Sequence, residues 1–365
     1  MAADPLHTLS NLQRPFELGL YTFVDNGSNP ITGHTADPVQ VMQNLMETIA
    51  LADQTGLDVF AIGEHHREDF LVSSPATVLG AAAVRTNNIR LSSAVTVLSS
   101  DDPVRVFQSF ATVDLLSNGR AEIMAGRGSF IESFPLFGYD LEDYGKLFEE
   151  KLTLLLQLND QKRITWSGDF RAPIHGLDIY PRPVQDKIPL WVAVGGTPES
   201  AIRAASLGLP MAFAIIGGTS ERFVPFFNLF REAAPQYGFN PENIPLSVNS
   251  HGFIADNSQD AVNEHYPLAT AMMNRIGQER GWPPATRDQL EAQRHLHGSD
   301  FVGSPEQVIE KILYQHEIFR HQRFLLSLGS NAMDHKKMMR AIELFGTKVA
   351  PVVREEIAKR NGQPN

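Results

Sequence analysis

Short apolar runs alternate along the chain with longer stretches whose apolar positions recur every three or four residues. The first run, Phe16–Phe23, follows Pro15 and reads as a strand. Turn formers fill the segment from Asp25 to Ala36, and Asp37-Pro38 then supplies an N-cap followed by proline at the first helical position. Met42, Leu45, Met46 and Ile49 fall on one helical face, and Gly56 ends the helix. Leu57–Gly63 reads as a short buried strand that runs into Glu64-His65-His66-Arg67. Ser74–Arg85 predicts a helix with small side chains at Ala76, Gly80, Ala81, Ala82 and Ala83. Ile89–Leu98 is the next strand. Asp102-Pro103 repeats the cap-and-proline start, Phe107, Phe110, Ala111 and Leu115 form an apolar face, and Ser117-Asn118-Gly119 stops the helix before the strand Ala121–Ala125.

The same grammar returns in the second half. Leu190–Val194 precedes Gly195-Gly196-Thr197-Pro198, and Ala201, Ile202 and Ala205 mark a helix face. Pro210–Ile216 and Pro245–Ala255 read as strands. Ser304-Pro305-Glu306-Gln307 is a capping box whose helix carries Val308, Ile309, Ile312 and Leu313 inward. Arg323–Leu328 predicts a last strand and Lys336–Glu355 a last helix. That makes eight strands, starting near residues 16, 57, 90, 121, 190, 210, 246 and 323. Regular β-then-α alternation favours a parallel sheet with helices outside, and eight repeats match a single (β/α)8 TIM barrel of the α/β class, with insertions at its C-terminal mouth. An open doubly wound sheet is the rival; the lack of G-x-G-x-x-G after the first strand counts against it. The barrel is expected to span 16–355, with tails at 1–15 and 356–365. Two stretches, 130–188 and 256–302, exceed a barrel's short connections, and long excursions at a barrel mouth often act as lids.

Composition narrows the class. The chain has 365 residues, 42% hydrophobic and 20% charged, as in an ordinary globular protein. A net charge of −11 disfavours nucleic acid or an anionic membrane as partner. With no cysteine there is no disulfide, thiolate metal site or cysteine nucleophile. Met1 to Pro15 lacks a basic-then-apolar leader pattern and no apolar stretch approaches the ~20 residues of a membrane span. The expected compartment is cytoplasmic.

In such a barrel the strand ends face the active site, so position adds information to residue type. Glu64, His65 and His66 follow the second strand, and a histidine beside a carboxylate can be a tuned proton donor or acceptor. A metal site is disfavoured: adjacent histidines on a strand point apart, and no second ligand cluster stands at another strand end. The competing reading is a hydrogen-bonded histidine that packs the strand end. Gly195-Gly196-Thr197-Pro198-Glu199-Ser200 leads into a helix N-terminus, which suits a phosphate, although Pro198 removes one N–H and Glu199 opposes an anion. Arg127, between Gly126 and Gly128 after the fourth strand, offers a planar anion clamp; a surface ion pair is its plainer reading. Gly217-Gly218-Thr219-Ser220 is a weaker rival. These features imply a phosphate-bearing ligand or cofactor and cannot separate a flavin from a sugar phosphate.

Several segments together resemble the bacterial luciferase-like family of flavin-dependent monooxygenases. They are Glu64-His65-His66; Ala94-Val95-Thr96-Val97-Leu98 through Asp102-Pro103-Val104-Arg105; Asp114-Leu115-Leu116-Ser117-Asn118-Gly119-Arg120; Gly126-Arg127-Gly128; Phe137-Gly138; Gly208-Leu209-Pro210-Met211; and Gly303-Ser304-Pro305-Glu306-Gln307. The similarity runs from Phe16 to Glu355. It implies a barrel holding FMN at its C-terminal mouth, a homodimer or larger oligomer, and reduced FMN supplied by a separate NAD(P)H-dependent reductase, with O2 and a small organic substrate as co-substrates. By the resemblance, His65 matches the active-site histidine, with Glu64 orienting or tuning it. Ala94 and Val95 match a segment against the flavin ring that can hold a non-proline cis peptide. Arg127 matches a phosphate arginine, and Gly195, Gly196, Thr197 and Ser200 match the phosphate turn.

Two positions depart from the luciferase branch. Gly126 stands where that branch has a reactive cysteine, which counts against luciferase-like aldehyde chemistry. A second phosphate arginine falls at Gly145, leaving Lys146 as a substitute or the phosphate held less tightly. An F420-dependent hydride-transfer enzyme, a non-catalytic flavin-binding protein and a barrel enzyme acting on a phosphorylated metabolite are the alternatives. The helix Ser74–Arg85 is small enough to approach a second copy, or to pack closely on its own barrel.

Overall fold

The structure, a computed structural model, describes residues 10–330 and 332–362. Its strands are β1 (Glu17–Thr22), β2 (Val59–Ile62), β3 (Arg90–Ser93), β4 (Thr96–Val97), β5 (Ala121–Gly126), β6 (Arg163–Trp166), β7 (Ile174–Asp178), β8 (Leu190–Val194), β9 (Met211–Ala214), β10 (Leu246–Ile254), β11 (Phe301–Gly303) and β12 (Arg323–Leu328). The helices are α1 (Pro38–Gln54), α2 (Pro75–Ala83), α3 (Pro103–Ser117), α4 (Ser133–Phe137), α5 (Tyr144–Asp160), α6 (Pro198–Ser206), α7 (Val224–Ala233), α8 (Ser258–Arg280), α9 (Arg287–Arg294), α10 (Pro305–Phe319), α11 (His335–Leu344) and α12 (Ala350–Arg360).

Eight strands close into a parallel barrel in the order β1-β2-β3-β5-β8-β9-β10-β12, with β12 returning to β1. They are the eight apolar runs read from the sequence, and the fold is the expected TIM barrel. The helix starts are capped where the residues predict: Asp37 accepts from the Val39 N–H, Asp102 from the Val104 N–H, and Ser304 forms a capping box with Gln307. Asn118 closes α3 in the left-handed region at φ 55°.

The structure departs from the reading in three places. The run Ile89–Leu98 is broken after Ser93, and β4 resumes beyond the interruption to pair with β5. The last helix continues past Glu355 to Arg360, with a π-helical turn at Phe345–Val349 between α11 and α12. The polar stretch 256–302 is mostly helical, holding the 23-residue α8, then α9, then β11, which adds to β10 outside the barrel. The other long excursion holds α4, α5 and the antiparallel β6–β7 hairpin.

Inside the barrel the N-terminal end is closed by charge. The fully buried Arg323 makes two bonds to the buried Glu122, at 2.7 and 2.9 Å, and a third to Glu17 at 2.7 Å. Arg90 joins from β3, pairing with Glu17. Above this layer, Tyr21, Val59, Ala61, Ala94, Met124, Trp191, Ala212 and Leu325 fill the interior. The guanidinium of Arg323 lies 4.0 Å from the Trp191 ring, which seals the ionic layer from the apolar one. The barrel is therefore a packed core, and its open end is the C-terminal mouth.

Candidate active site

Side chains on a strand alternate between the barrel interior and the helix layer, so the last inward residue of each strand faces the mouth. Phe23, Val95, Ala193, Ala214, His251 and Ser327 occupy that level, and each retains exposure where the inward residues below are buried. Small residues open the space between them. A Cβ on Gly195 or Gly196 would meet no heavy atom within 4 Å among the described residues.

The expected phosphate residues come together at one side of this mouth. Arg127 Nη2 donates to Ser200 Oγ at 3.1 Å, and Ser200 Oγ lies 2.7 Å from Thr197 Oγ1. Thr197 is the N-cap of α6 and Ser200 lies in its first turn, so the orphan N–H groups of that helix end point at the same place. The Arg127 guanidinium rests over the Tyr144 ring at 4.9 Å, and the Tyr144 hydroxyl donates to the Gly128 carbonyl at 2.7 Å, which fixes the arginine from behind. Among the described residues no carboxylate pairs with Arg127. A half-buried cation with hydroxyls, amide dipoles and no acid partner fits a phosphate. Lys146 is 74% exposed and pairs with Asp143 at 3.1 Å. Gly217-Gly218-Thr219 is committed elsewhere, with Thr219 bridged to Gly298.

Ala94 and Val95 interrupt the third barrel strand, and the peptide between them is cis. Ala94 belongs to the interior cluster and Val95 packs at its edge, so the pair forms an apolar shelf at the mouth. Gly126 makes room for it. A Cβ at Gly126 would stand 2.6 Å from Val95 Cγ2, and a cysteine there would displace the shelf.

His65 lies in an aromatic cage. Phe23 stacks on it at 4.7 Å, Phe70 meets it edge-on at 4.4 Å and Phe130 edge-on at 4.7 Å. No protein group among the described residues hydrogen-bonds its ring, whose position is set by packing and by the backbone bond from His65 N–H to the Val72 carbonyl, 3.0 Å. Burial lowers its pKa to about 4, so the imidazole is neutral at pH 7, with one N–H and one lone pair. Glu64 does not orient it. Successive residues point to opposite sides, and Glu64 instead meets His66 Nε2 at 3.4 Å. Burial raises the Glu64 carboxyl, and His66 draws it back only in part.

A strap crosses the mouth beside this cage. Arg67 grips Glu279 through two bonds at 2.6 and 3.0 Å, Glu132 at 2.7 Å and Asp69 at 3.1 Å, and Arg275 adds a 3.1 Å pair to Asp69. The C-terminal half of α8 is thereby tied to the loops after β2 and β5. Arg67 lies over the Phe130 ring at 4.4 Å, so this clamp bears directly on the His65 cage. No group of three or more His, Asp or Glu side chains among the described residues is placed to hold a metal.

The sequence model of the luciferase-like monooxygenases matches residues 16–322. The chain belongs to that family. Relatives of known activity include the alkanal monooxygenase alpha chain of Photobacterium leiognathi, 26% identical over 87% of this chain and 94% of its own length. The oxygenase component of the flavin-dependent trigonelline monooxygenase of Acinetobacter baylyi is 24% identical over 61% of this chain and 62% of its own. Among solved structures, monooxygenase RslO1 of Streptomyces bottropensis superposes with a TM-score of 0.79 at 23% identity, covering 92% of this chain and 99% of its own. The oxygenating constituent of 3,6-diketocamphane monooxygenase of Pseudomonas putida, solved with FMN, gives 0.74 at 19%, over 92% and 98%. The coenzyme F420-dependent tetrahydromethanopterin reductase of Methanopyrus kandleri gives 0.71 at 18%, over 93% and 99%. Structural neighbours of this luciferase-like protein thus include users of FMN and of F420. No helix among the described residues is long and apolar enough to cross a membrane.

His251 and Ser327 were not among the residues singled out from the sequence. The signal was present: Ser247, Asn249 and His251 are polar at alternate positions of a strand that otherwise reads as core. The clamp residue Arg67 was also passed over, because its acid partners lie up to 212 residues away in sequence.

Proposed function

We propose that this protein is a flavin-dependent monooxygenase that binds reduced FMN at the barrel mouth and oxidises a small organic substrate with O2. The observation that carries the reading is Arg127. It is half-buried, fixed by Ser200 and Tyr144, aimed at the N-terminus of α6, and paired with no acid among the described residues. Arg127, Thr197, Ser200 and the Gly195-Gly196 turn would hold the phosphate, and Ala94-Val95 would support the ring. Bound reduced FMN supplies the electrons that activate O2.

The chain's own residues supply the rest. The neutral His65 ring can donate or accept a proton at either nitrogen next to the ring-binding shelf, and Phe23, Phe70 and Phe130 keep water from it. The α8 strap covers that side. The trigonelline relative is named as an oxygenase component, so the reading takes its reduced flavin from a separate NAD(P)H-dependent reductase.

Titration of the purified protein with oxidised FMN, reduced FMN and F420, followed by aeration, tests this. Preferential binding of reduced FMN, with consumption of O2 coupled to substrate oxidation, supports it. Preference for F420 with no oxygen uptake assigns the mouth to hydride transfer instead, and binding of neither overturns the flavin reading.

A further inference from the structure

At the end of the barrel away from the mouth, two histidines lie where the first and last strands meet. β1 and β12 close the barrel, pairing Glu17 with Arg323 through to Leu20 with Leu326, and the Glu17 N–H donates to the Gln322 carbonyl at 2.9 Å at the foot of that pairing. His316 lies in the last turn of α10, and His321 in the short link from α10 to β12. Phe16, the residue before β1, meets both rings edge-on, at 5.6 Å for His316 and 5.2 Å for His321, and the two imidazoles stand 5.8 Å apart. Phe319 adds an edge contact to His321 at 6.2 Å and is itself stacked on Phe227 at 4.4 Å. Ring contacts thus join the start of β1 to α10 and to the start of β12.

Those contacts need neutral imidazoles. His321 is fully buried and His316 is 3% exposed. Among the described residues neither ring nitrogen of His321, nor Nδ1 of His316, has a hydrogen-bond partner. The charges that act on the pair are guanidiniums: Arg231 of α7 on His321, and Arg320 at the end of α10 and Arg360 at the end of α12 on His316. Arg231 donates to the Phe319 carbonyl, and Arg360 to that of Leu313 at 3.2 Å. The acids of this corner serve the arginines. Glu317 lies 3.9 Å from Arg360, Glu242 acts on Arg231, and Glu17 and Glu122 are bonded to Arg323. A proton added to either imidazole is therefore a buried charge with no acceptor and with guanidiniums from three helices around it. Burial lowers His316 to about 4 and His321 well below its ordinary value.

We propose that His316 and His321 form an acid-sensitive latch on the β1–β12 seam, which opens as they take up protons from solvent while the other barrel strands stay paired. The latch lies at the far end of the barrel from Arg127 and His65 and does not rest on the flavin reading. An exposed imidazole binds a proton below about pH 6.5, so acid favours the open seam and neutral pH the closed one. Between pH 7.5 and 5 the open fraction should rise about 30-fold if one histidine controls it, and about 10³-fold if both do.

Hydrogen exchange read by mass spectrometry at pH 7.5 and 5, corrected for intrinsic exchange rates and run at one ionic strength, tests the latch. At pH 5 the segments 17–22 and 323–328 should lose protection by that factor, while 121–126 and 190–194 keep theirs. Return to pH 7.5 should restore the seam. His316→Leu and His321→Leu, each leaving an apolar side chain among the same rings, should separately cut the loss to the single-histidine value of about 30-fold. Either variant suffices if the other does not fold. A seam that stays protected at pH 5, equal loss in all four segments, or a loss of wild-type size in the variants overturns the latch.

Discussion

The side chain of Val95 fills the space beside Gly126: a Cβ on that glycine would lie 2.6 to 2.9 Å from three of its atoms. A residue that lacks a side chain and a β-branched residue in the break between β3 and β4 thus form one fitted unit at the mouth. Gly126→Cys should cost about 1–3 kcal/mol by overpacking and should weaken flavin binding through the displaced shelf. Val95→Ala in the same chain should restore both. Thermal denaturation and FMN titration of the two single variants and the double variant would show the coupling; additive effects would mean that the two sites are independent.

His65 is held by rings rather than hydrogen bonds, and its task is assigned to chemistry rather than to cofactor retention. His65→Ala should lower turnover by about 10²-fold or more, the scale of a lost proton-transfer group, with FMN affinity within about threefold of wild type. A parallel loss of FMN affinity would make the imidazole a cofactor ligand. His66→Ala should have a smaller effect on turnover, since His66 faces Glu64.

The buried imidazoles also set a pH response. Burial lowers His65, His251, His265 and His316 to about 4, and His321 well below its ordinary value. The unfolded chain binds protons on these groups below about pH 6.5; in the native protein His65, His251, His265 and His316 do not until about pH 4, and His321 stays neutral well below its ordinary value. Stability should therefore fall as pH drops through that window, by up to about 3 kcal/mol per histidine. Asp300, raised by burial to about 6, works the other way and offsets part of the loss. Denaturant unfolding at pH 7.5, 6 and 5 checks the sign. A midpoint that rises on acidification would contradict it.

At the closed end of the barrel, Glu122 and Arg323 are both fully buried and doubly bonded. Glu122→Gln leaves two guanidiniums, Arg323 and Arg90, sharing the single carboxylate of Glu17 and should destabilise the fold by about 3 kcal/mol, without altering the affinity of whatever correctly folded protein remains for FMN. A chemical-denaturation curve alongside an FMN titration separates the two effects.

Much of this architecture could be read from residue order. The eight strands, the proline-started helices and the meeting of Arg127 with Thr197 and Ser200 each rest on local chemistry: apolar run, cap, glycine turn. The corner was legible because Arg127 and Thr197–Ser200 both follow barrel strands, and closure of the barrel brings strand ends together. What escaped was set by long-range packing. Glu64 meets His66 rather than His65, a contact that residue order alone does not specify. The helix α8 was hidden by its polar composition and by Pro267, and its purpose shows only in the ion pairs that Arg67 and Arg275 make across the mouth. The segment Asp114 to Arg120, one of those carrying the family resemblance, is structural. Asp114 accepts from the Ala121, Val184 and Gln185 N–H groups, and Arg120 donates to the carbonyls of Ala83, Thr86 and Ile89.

The central claim is that Arg127 and the α6 N-terminus bind the phosphate of a flavin. The most direct measurement compares the affinities of FMN and riboflavin, which differ only in that phosphate, for wild-type protein and Arg127→Ala. Wild type should prefer FMN, and the variant should lose about 10- to 100-fold of FMN affinity with riboflavin nearly unchanged. Equal losses for both ligands, or an FMN affinity that does not respond to Arg127, would contradict the account.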